Sequence, residues 1–210
     1  MKVGTDGVLL GAWARGGSRV LDVGTGTGLI ALMMAQRYPK AMVGAIDIDE
    51  GAVRQASENV EMAQCQERVT VLHQSVQEFA KVERLAGFYD AVVSNPPFFV
   101  DALKAPDEQR SVARHAETLT YAELMDAAWT LLRDDGELSV VVPFDYRKRM
   151  EDEATFRGFF QSRVCAVRTV EGKPARRFLM AFRKHPCERD YQVMTIGDEA
   201  YKQLTGDFYL

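Results

Sequence analysis

Short apolar runs alternate along the first part of the chain with segments whose apolar residues recur every three or four positions. Buried strands and amphipathic helices produce these two patterns. The apolar runs cover residues 19–24, 42–47, 68–73 and 88–94, and the helical patterns cover 29–37, 51–63, 76–80 and 121–132. Because strands and helices alternate, the sequence predicts an α/β fold with a mostly parallel sheet and helices on both faces.

The last third of the chain predicts an antiparallel end to this sheet. A strand at 137–142 is followed by an amphipathic helix at 145–161 and by apolar runs at 164–170 and 178–182. The turn residues Glu171-Gly172-Lys173-Pro174 separate the last two runs, as is typical of a β-hairpin. We therefore expect a seven-stranded sheet that closes with an antiparallel C-terminal hairpin.

Composition favours one cytoplasmic domain without a metal site. The 210 residues are 47% hydrophobic, enough for a full core in a single domain over residues 1–210. No apolar run reaches the roughly 18 residues of a membrane span. The three cysteines, Cys65, Cys165 and Cys187, form no C-x-x-C pair that would indicate zinc or a disulfide framework. With a net charge of −4, any nucleic-acid binding must be local.

A glycine-rich loop, Gly24-Thr25-Gly26-Thr27-Gly28, joins the first predicted strand to a helix. Glycines there allow a ligand to approach the backbone, and the N–H groups of a helix N-terminus bind anions. Leu29 stands where the dinucleotide fingerprint has a third glycine, which favours an adenosine cofactor without a pyrophosphate over NAD. Asp47, at the end of the second strand, is placed to bind both ribose hydroxyls, and Asp22 to orient an ammonium group.

The motif Asn95-Pro96-Pro97-Phe98 directly follows the fourth predicted strand. Two prolines cannot continue a central strand, so they form a stiff loop at the carboxyl edge of the sheet, where open α/β sheets bind ligands. The Asn95 side-chain oxygen and a backbone carbonyl can both accept hydrogen bonds from one NH2 group, while Phe98 stacks on the attached ring. The motif therefore predicts a clamp for a planar amine.

The glycine loop and this clamp together resemble a class I S-adenosylmethionine-dependent methyltransferase that acts on an exocyclic or amide nitrogen. Four further segments resemble the bacterial tRNA(Val) adenine N6-methyltransferase family: MKVGTDGVLLGAWA at 1–14, ARH at 113–115, KPARR at 173–177 and LTGDFYL at 204–210. The match covers essentially the whole chain. Family members usually carry some tens of residues ahead of Lys2-Val3-Gly4-Thr5-Asp6, so we expect that leader to be missing here.

The resemblance implies a Rossmann-like domain that transfers a methyl group from S-adenosylmethionine to the N6 amine of an adenine, in the anticodon loop of tRNA(Val). It implies catalysis by Asn95, Pro96, Pro97 and Phe98, and cofactor binding by Asp22, Gly24, Thr25, Gly26, Gly28, Asp47, Ile48, Ser75, Val76 and Asn95. In that family the glycines hold the methionine side, Asp47 the ribose, and Ser75 and Val76 the adenine. Ser75 departs from the acid often found at its position.

Candidate RNA contacts follow from location. Arg110, Arg114 and His115 lie in the polar segment 99–118, which is long enough to be a substrate loop, and Lys173, Arg176 and Arg177 lie at the predicted hairpin. The expected partner is tRNA, with no membrane or DNA partner, and we expect a monomer.

Three other functions stay open at this point. A related methyltransferase acting on a ribosomal RNA guanine or a protein glutamine would meet the same planar NH2, although Phe98 favours a base. A regulator that binds the cofactor without catalysis is disfavoured by the presence of Asp47 and Asn95 together with the glycine loop. An NAD oxidoreductase is disfavoured by the absent third glycine.

Overall fold

The computed structural model describes residues 4–97 and 119–208. Its strands are β1 Arg19–Val23, β2 Met42–Asp47, β3 Val69–His73, β4 Tyr89–Ser94, β5 Leu132–Pro143, β6 Phe160–Arg168, β7 Arg177–Arg183 and β8 Asp190–Thr195. Its α-helices are α1 Thr5–Trp13, α2 Leu29–Arg37, α3 Glu50–Met62, α4 Val76–Phe79, α5 Tyr121–Leu131, α6 Arg147–Arg157 and α7 Glu199–Thr205. Short 3-10 turns at Glu83–Leu85 and Phe144–Tyr146 precede β4 and α6.

Within the described ranges the strands form one eight-stranded sheet in the order β3-β2-β1-β4-β5-β7-β6-β8. All pairings are parallel except those of β7, which runs antiparallel to both β5 and β6. The predicted α/β class and the antiparallel hairpin are confirmed. The predicted count of seven strands is wrong, because β8 adds an edge strand parallel to β6, from Arg163↔Asp190 to Arg168↔Thr195.

Helices cover both faces of the sheet, as predicted. Helices α4, α5 and α6 share one core with Val92 and Val140, and helices α1, α2 and α3 share the other with Val93 and Val141. Successive residues of a strand therefore point into different cores. This double burial explains why the central strands are continuous apolar runs rather than alternating patterns.

Helix α1 packs on α2 through two glycines. A Cβ atom added at Gly11 would lie 2.6 Å from the Met33 sulfur, and one added at Gly7 would lie 3.1 Å from Leu29 Cδ2. Real Cβ atoms essentially never lie within 3.0 Å of such a neighbour, so a side chain at Gly11 would force Met33 to shift.

Several predicted boundaries differ from the structure, most of all in the last third of the chain. The helix predicted over 145–161 ends at Arg157, because Gly158 takes a φ of +96°, the left-handed conformation that ends many helices. The last residues of the predicted helix belong instead to β6, which begins at Phe160. Strand β5 begins at Leu132 rather than 137, immediately after α5 ends. A capping box between Thr120 and Glu123 opens α5.

Among the helices of the described ranges, none has both the length and the apolar character needed to cross a membrane.

Candidate active site

The carboxyl ends of β1, β2 and β4 meet at one edge of the sheet. Val23 pairs in register with Ile46 on one side and with Ser94 on the other. The Ser94 hydroxyl donates a hydrogen bond to the Val23 carbonyl oxygen at 2.8 Å and so ties two strand ends together. The glycine loop, Asp47 and Asn95 lie at or directly after these three ends. The structure therefore brings the three predicted parts of the site together.

Backbone hydrogen bonds hold the glycine loop over the end of β2. The N–H groups of Gly24 and Thr25 donate to the Ile46 carbonyl oxygen at 2.9 and 3.0 Å, and the Gly26 N–H donates to Asp47 Oδ2 at 2.9 Å. Gly24 and Gly26 have φ values of +69° and +57°, which residues with a side chain rarely adopt. A Cβ atom added at either glycine would have no described atom within 4 Å. Open space therefore borders the loop.

The far end of the loop is fixed on α3. A Cβ atom added at Gly28 would lie 3.2 Å from the Ala56 Cβ, and Asn59 Nδ2 donates to the Thr27 carbonyl oxygen at 2.8 Å. Sequence reasoning did not include Asn59 in the site. It lies 32 positions from Thr27, and no local pattern links the two residues.

Asp22 lies beneath the loop and is fully buried. Its Oδ2 accepts hydrogen bonds from the Thr25 hydroxyl at 2.6 Å and from the Ala31 N–H at 3.1 Å, and so joins the loop to α2. Burial raises the pKa of Asp22 to about 7, against the lowering effect of these two hydrogen bonds, and the nearby Asp47 carboxylate also raises it. The other oxygen, Oδ1, is buried without a hydrogen-bond partner among the described residues.

Asp47 and the residues predicted to flank an adenine ring lie around the ends of β2 and β3. Asp47 is half-buried, and its Oδ1 accepts from the Asp49 N–H at 3.0 Å. A carboxylate has about four lone-pair positions, so its two backbone hydrogen bonds leave capacity for further donors. Ile48 exposes 47% of its surface, whereas Val76 is buried. The Ser75 hydroxyl accepts from the Glu78 N–H at 3.2 Å and caps α4.

Asn95 provides an unused acceptor at the end of β4. Its Oδ1 is buried and has no hydrogen-bond partner among residues 4–97 and 119–208. Leaving such an acceptor unpaired costs about 1–3 kcal/mol, so a ligand that donates to it is favoured. Pro96 is buried and Pro97 is exposed. Phe98, the fourth residue of the predicted clamp, lies outside the described residues.

The predicted RNA contacts fall into three groups. Arg110, Arg114 and His115 lie outside the described residues. Lys173 and Arg176 are exposed in the turn between β6 and β7. Arg177 is instead partly buried and forms an ion pair with Asp6 of α1, with 2.8 Å between the guanidinium nitrogen and the carboxylate oxygen. The structure thus separates Arg177 from the two solvent-facing cations.

In the part of the chain that the structure describes, no group of three or more His, Cys, Asp and Glu side chains is arranged to hold a metal ion.

Comparison with known proteins places this site in a family. The model of the methyltransferase small domain family matches residues 7–167. A tRNA1(Val) (adenine(37)-N6)-methyltransferase of Bacteroides thetaiotaomicron is 41% identical over 219 positions, which cover 100% of this chain and 91% of that protein. A protein of the same name from Trichodesmium erythraeum is 40% identical over 220 positions, with the same coverage of 100% and 91%.

A solved structure confirms the predicted class of fold. A protein of Agrobacterium tumefaciens described as a predicted O-methyltransferase superposes with a TM-score of 0.74 at 18% identity, over 96% of each chain. The chain therefore belongs to the methyltransferase small domain family and, within it, to the tRNA1(Val) (adenine(37)-N6)-methyltransferase family of its curated relatives.

Proposed function

We propose that this protein transfers a methyl group from S-adenosylmethionine to the N6 amine of an adenine in tRNA, at position 37 in the anticodon loop of tRNA1(Val). The relatives of about 40% identity that align with the whole chain carry this activity in their names. The single structural observation that carries the proposal is the buried Asn95 Oδ1 beside the glycine loop, which has no hydrogen-bond partner among the described residues. An acceptor held in that state at the carboxyl edge of the sheet suits an NH2 group.

The residues around the glycine loop fit an adenosyl amino acid. Open space lies next to Gly24 and Gly26, and the Asp47 carboxylate keeps lone pairs for ribose hydroxyls. The exposed Ile48 offers an apolar surface to an adenine ring, and the unpaired Asp22 Oδ1 suits an ammonium group close to the loop. S-adenosylmethionine, when bound, supplies an electrophilic methyl group on a sulfonium sulfur.

Asn95 and Pro96 would act on the nucleophile. The lone pair of an aromatic amine is delocalised into its ring, so the neutral amine is a weak nucleophile. Hydrogen bonds from its two N–H groups to Asn95 Oδ1 and to the Pro96 carbonyl oxygen would shift electron density onto nitrogen and fix its direction. Catalysis then rests on alignment and on preorganised acceptors, and it requires no strong general base.

The test is transfer of labelled methyl from S-adenosylmethionine to unmodified tRNA1(Val), followed by digestion to nucleosides. We expect label in N6-methyladenosine with the wild type. Asn95→Ala should lower turnover by roughly 100- to 1000-fold, as the loss of one preorganised hydrogen-bonding group does in other active sites. The melting temperature of the variant should stay close to wild type, and its affinity for S-adenosylhomocysteine should fall far less than its turnover. Undiminished turnover in Asn95→Ala would remove Asn95 from the mechanism.

Parallel acceptors separate this proposal from its alternatives. Ribosomal RNA and total protein are offered under the same conditions. Label in a guanine of ribosomal RNA or in a protein glutamine, with none in tRNA, would overturn the tRNA assignment and retain the amine clamp.

A further inference from the structure

A groove of about 720 Å³ lies at the carboxyl ends of β5 and β6, outside the residues assigned above to cofactor and target amine. The 3-10 turn after β5 forms one side and the β6–β7 turn forms the other. Residues that line the groove include Pro143, Phe144, Val170, Lys173, Pro174 and Arg176. Of these residues, Lys173 and Arg176 are candidate RNA contacts from the sequence, and the others have no ligand assigned above.

The groove lies on the same edge of the sheet as Asn95. Strands β4 and β5 are parallel neighbours, with Ser94 paired to Val140, and Pro143 follows Val140 by three residues. Neighbouring strands are about 5 Å apart, so the end of β5 is about 5 Å and the end of β6 about 15 Å from the line of β4. A nucleotide next to a base held at Asn95 is within reach of the groove.

An aromatic ring stands exposed in this groove. Phe144 exposes 55% of its surface, and its ring centroid lies 6.2 Å from that of the buried Phe178 at an interplanar angle of 40°. The guanidinium of Arg147 lies over the Phe178 ring, 4.4 Å from its centroid. The Phe144 N–H donates to the Arg176 carbonyl oxygen at 3.0 Å. The ring is therefore held in place while it faces solvent, which is the geometry of a stacking platform for an unpaired base.

Two cations line the same groove as the ring. Lys173 and Arg176 are exposed, and within the described ranges neither side chain forms an ion pair or a hydrogen bond, whereas the adjacent Arg177 is held by Asp6. The Arg176 N–H donates to the Val167 carbonyl oxygen at 2.9 Å, and the Lys173 N–H donates to that of Val170 at 3.2 Å, so the turn is fixed. Asp145 adds one carboxylate to the lining, which leaves the groove with a net positive charge.

We propose that this groove binds an unpaired nucleotide adjacent to the target adenine, with its base stacked on Phe144 and its phosphate held by Lys173 and Arg176. The inference rests on the proposed function, because it takes a single-stranded RNA loop as the substrate. Unpaired loop nucleotides expose base faces to aromatic side chains and phosphates to cations, whereas a folded protein acceptor offers neither. The groove therefore sets affinity for the RNA loop, and the amine clamp carries out the chemistry.

The first test compares Phe144→Leu with Phe144→Tyr in methylation of an anticodon stem-loop of tRNA1(Val). Leucine keeps an apolar side chain against Phe178 and removes the stacking face, and tyrosine keeps the face. We expect Phe144→Leu to raise KM for the RNA by about tenfold or more. Its kcat and its affinity for S-adenosylhomocysteine should not change, and Phe144→Tyr should remain close to wild type. Phe156→Leu is the matched control, because Phe156 exposes 92% of its surface on α6 away from the groove lining.

A second substrate shows whether the ring meets a base. Two stem-loops are prepared, each lacking the base of one of the two nucleotides that flank the target adenine. For the wild type, one of these two stem-loops should have a raised KM. The same RNA should cause no further rise in Phe144→Leu, because the stacking partner is already absent. Independent, multiplicative losses would overturn the stacking assignment.

The salt dependence of RNA affinity tests the proposed role of Lys173 and Arg176. Each phosphate contact contributes about 0.7 to the slope of log affinity against log salt for a single strand. Lys173→Ala/Arg176→Ala should lower that slope by about 0.7, because the two cations hold one phosphate. The control is Lys40→Ala/Arg84→Ala, because both residues are exposed and precede parallel strands, at the opposite edge of the sheet. Equal slopes in the two double variants would overturn the phosphate assignment.

The outcomes separate the two proposals. If the wild type methylates tRNA and Phe144→Leu retains its KM, the groove inference fails and the proposed function stands. If the wild type transfers label to protein and to no RNA, both fail.

Discussion

Replacing Asp22 with asparagine should make the stability of the protein less dependent on pH. The wild-type carboxyl is fully buried beneath the glycine loop, and burial raises its pKa from 3.8 to about 7. The amide oxygen of asparagine can still accept the hydrogen bonds that Oδ2 takes from Thr25 and Ala31. The variant therefore keeps the loop connection and loses the buried ionisable group.

The size of the effect follows from the two pKa values. Between pH 4 and 7 the folded carboxyl holds a proton that the unfolded chain has released, so the unfolded state binds fewer protons and wild-type stability falls as pH rises. The slope approaches 1.4 kcal/mol per pH unit, for a total of about 4 kcal/mol. Below about pH 4 both states are protonated, and above about pH 7 both are ionised. The contribution is therefore greatest at low pH and is lost by neutral pH.

Urea unfolding of both proteins at pH 5, 6, 7 and 8 measures this contribution. The free energy of unfolding of Asp22→Asn minus that of the wild type should rise by about 1.4 kcal/mol per unit from pH 5 to 6, more slowly towards 7, and then level off. The unpaired position of Oδ1 receives an NH2 group in the variant, which adds an offset that does not depend on pH. Parallel curves for the two proteins would refute the reasoning.

Titration with S-adenosylhomocysteine extends the same prediction to the ligand. If Asp22 also orients the ammonium group, as the sequence predicts, wild-type affinity should rise from pH 6 to pH 8 as the carboxyl ionises. Affinity of the asparagine variant should change less over that range. An identical rise in both proteins would assign the ammonium to another group.

Two further predictions concern the fold. Gly11→Val should lower the free energy of unfolding in urea by about 1–3 kcal/mol, because a Cβ there meets the Met33 sulfur at 2.6 Å; an unchanged midpoint would contradict the close packing of α1 on α2. Thr120→Ala should lower it by about 1 kcal/mol through loss of the cap on α5, whereas Thr120→Ser keeps the hydroxyl and should stay near wild type; equal losses in both variants would show that the hydroxyl is not the stabilising group.

Hydrophobic periodicity was sufficient to locate the strands that are buried on both faces and the helices that are strongly amphipathic. The helix predicted at 29–37 and the strand predicted at 42–47 coincide with α2 and β2. Each combines a clear apolar pattern with a polar or turn-forming boundary. Strand β8 lacked such a signal. It lies at the sheet edge, where Met194 is buried while Tyr191 and Val193 expose 51% and 45% of their surfaces. Its apolar residues therefore do not form the continuous run that predicts a buried strand.

In the candidate site, too, features set by neighbouring residues were predictable, whereas contacts between residues distant in sequence were not. The positions of Asn95 and the glycine loop at the strand ends were predictable because prolines and closely spaced glycines specify backbone geometry within a few residues. The anchoring of Arg177 by Asp6 was not, since it joins residues 171 positions apart that are brought together by packing of α1 on the sheet. Charge alone could not distinguish Arg177 from Arg176.

The position of β4 in the middle of the sheet has a consequence for how this enzyme can change. Strands β3, β2 and β1 lie on one side of β4 and carry the glycine loop and Asp47, while β5, β7, β6 and β8 lie on the other side and carry the groove. The two sides meet at Asn95. If the groove binds RNA as proposed, mutations in the turns 143–146 and 169–176 would change the choice of acceptor and leave the residues proposed to bind the methyl donor unaltered. New acceptor specificities, whether natural or selected from a laboratory library, would then arise from changes in one half of the protein.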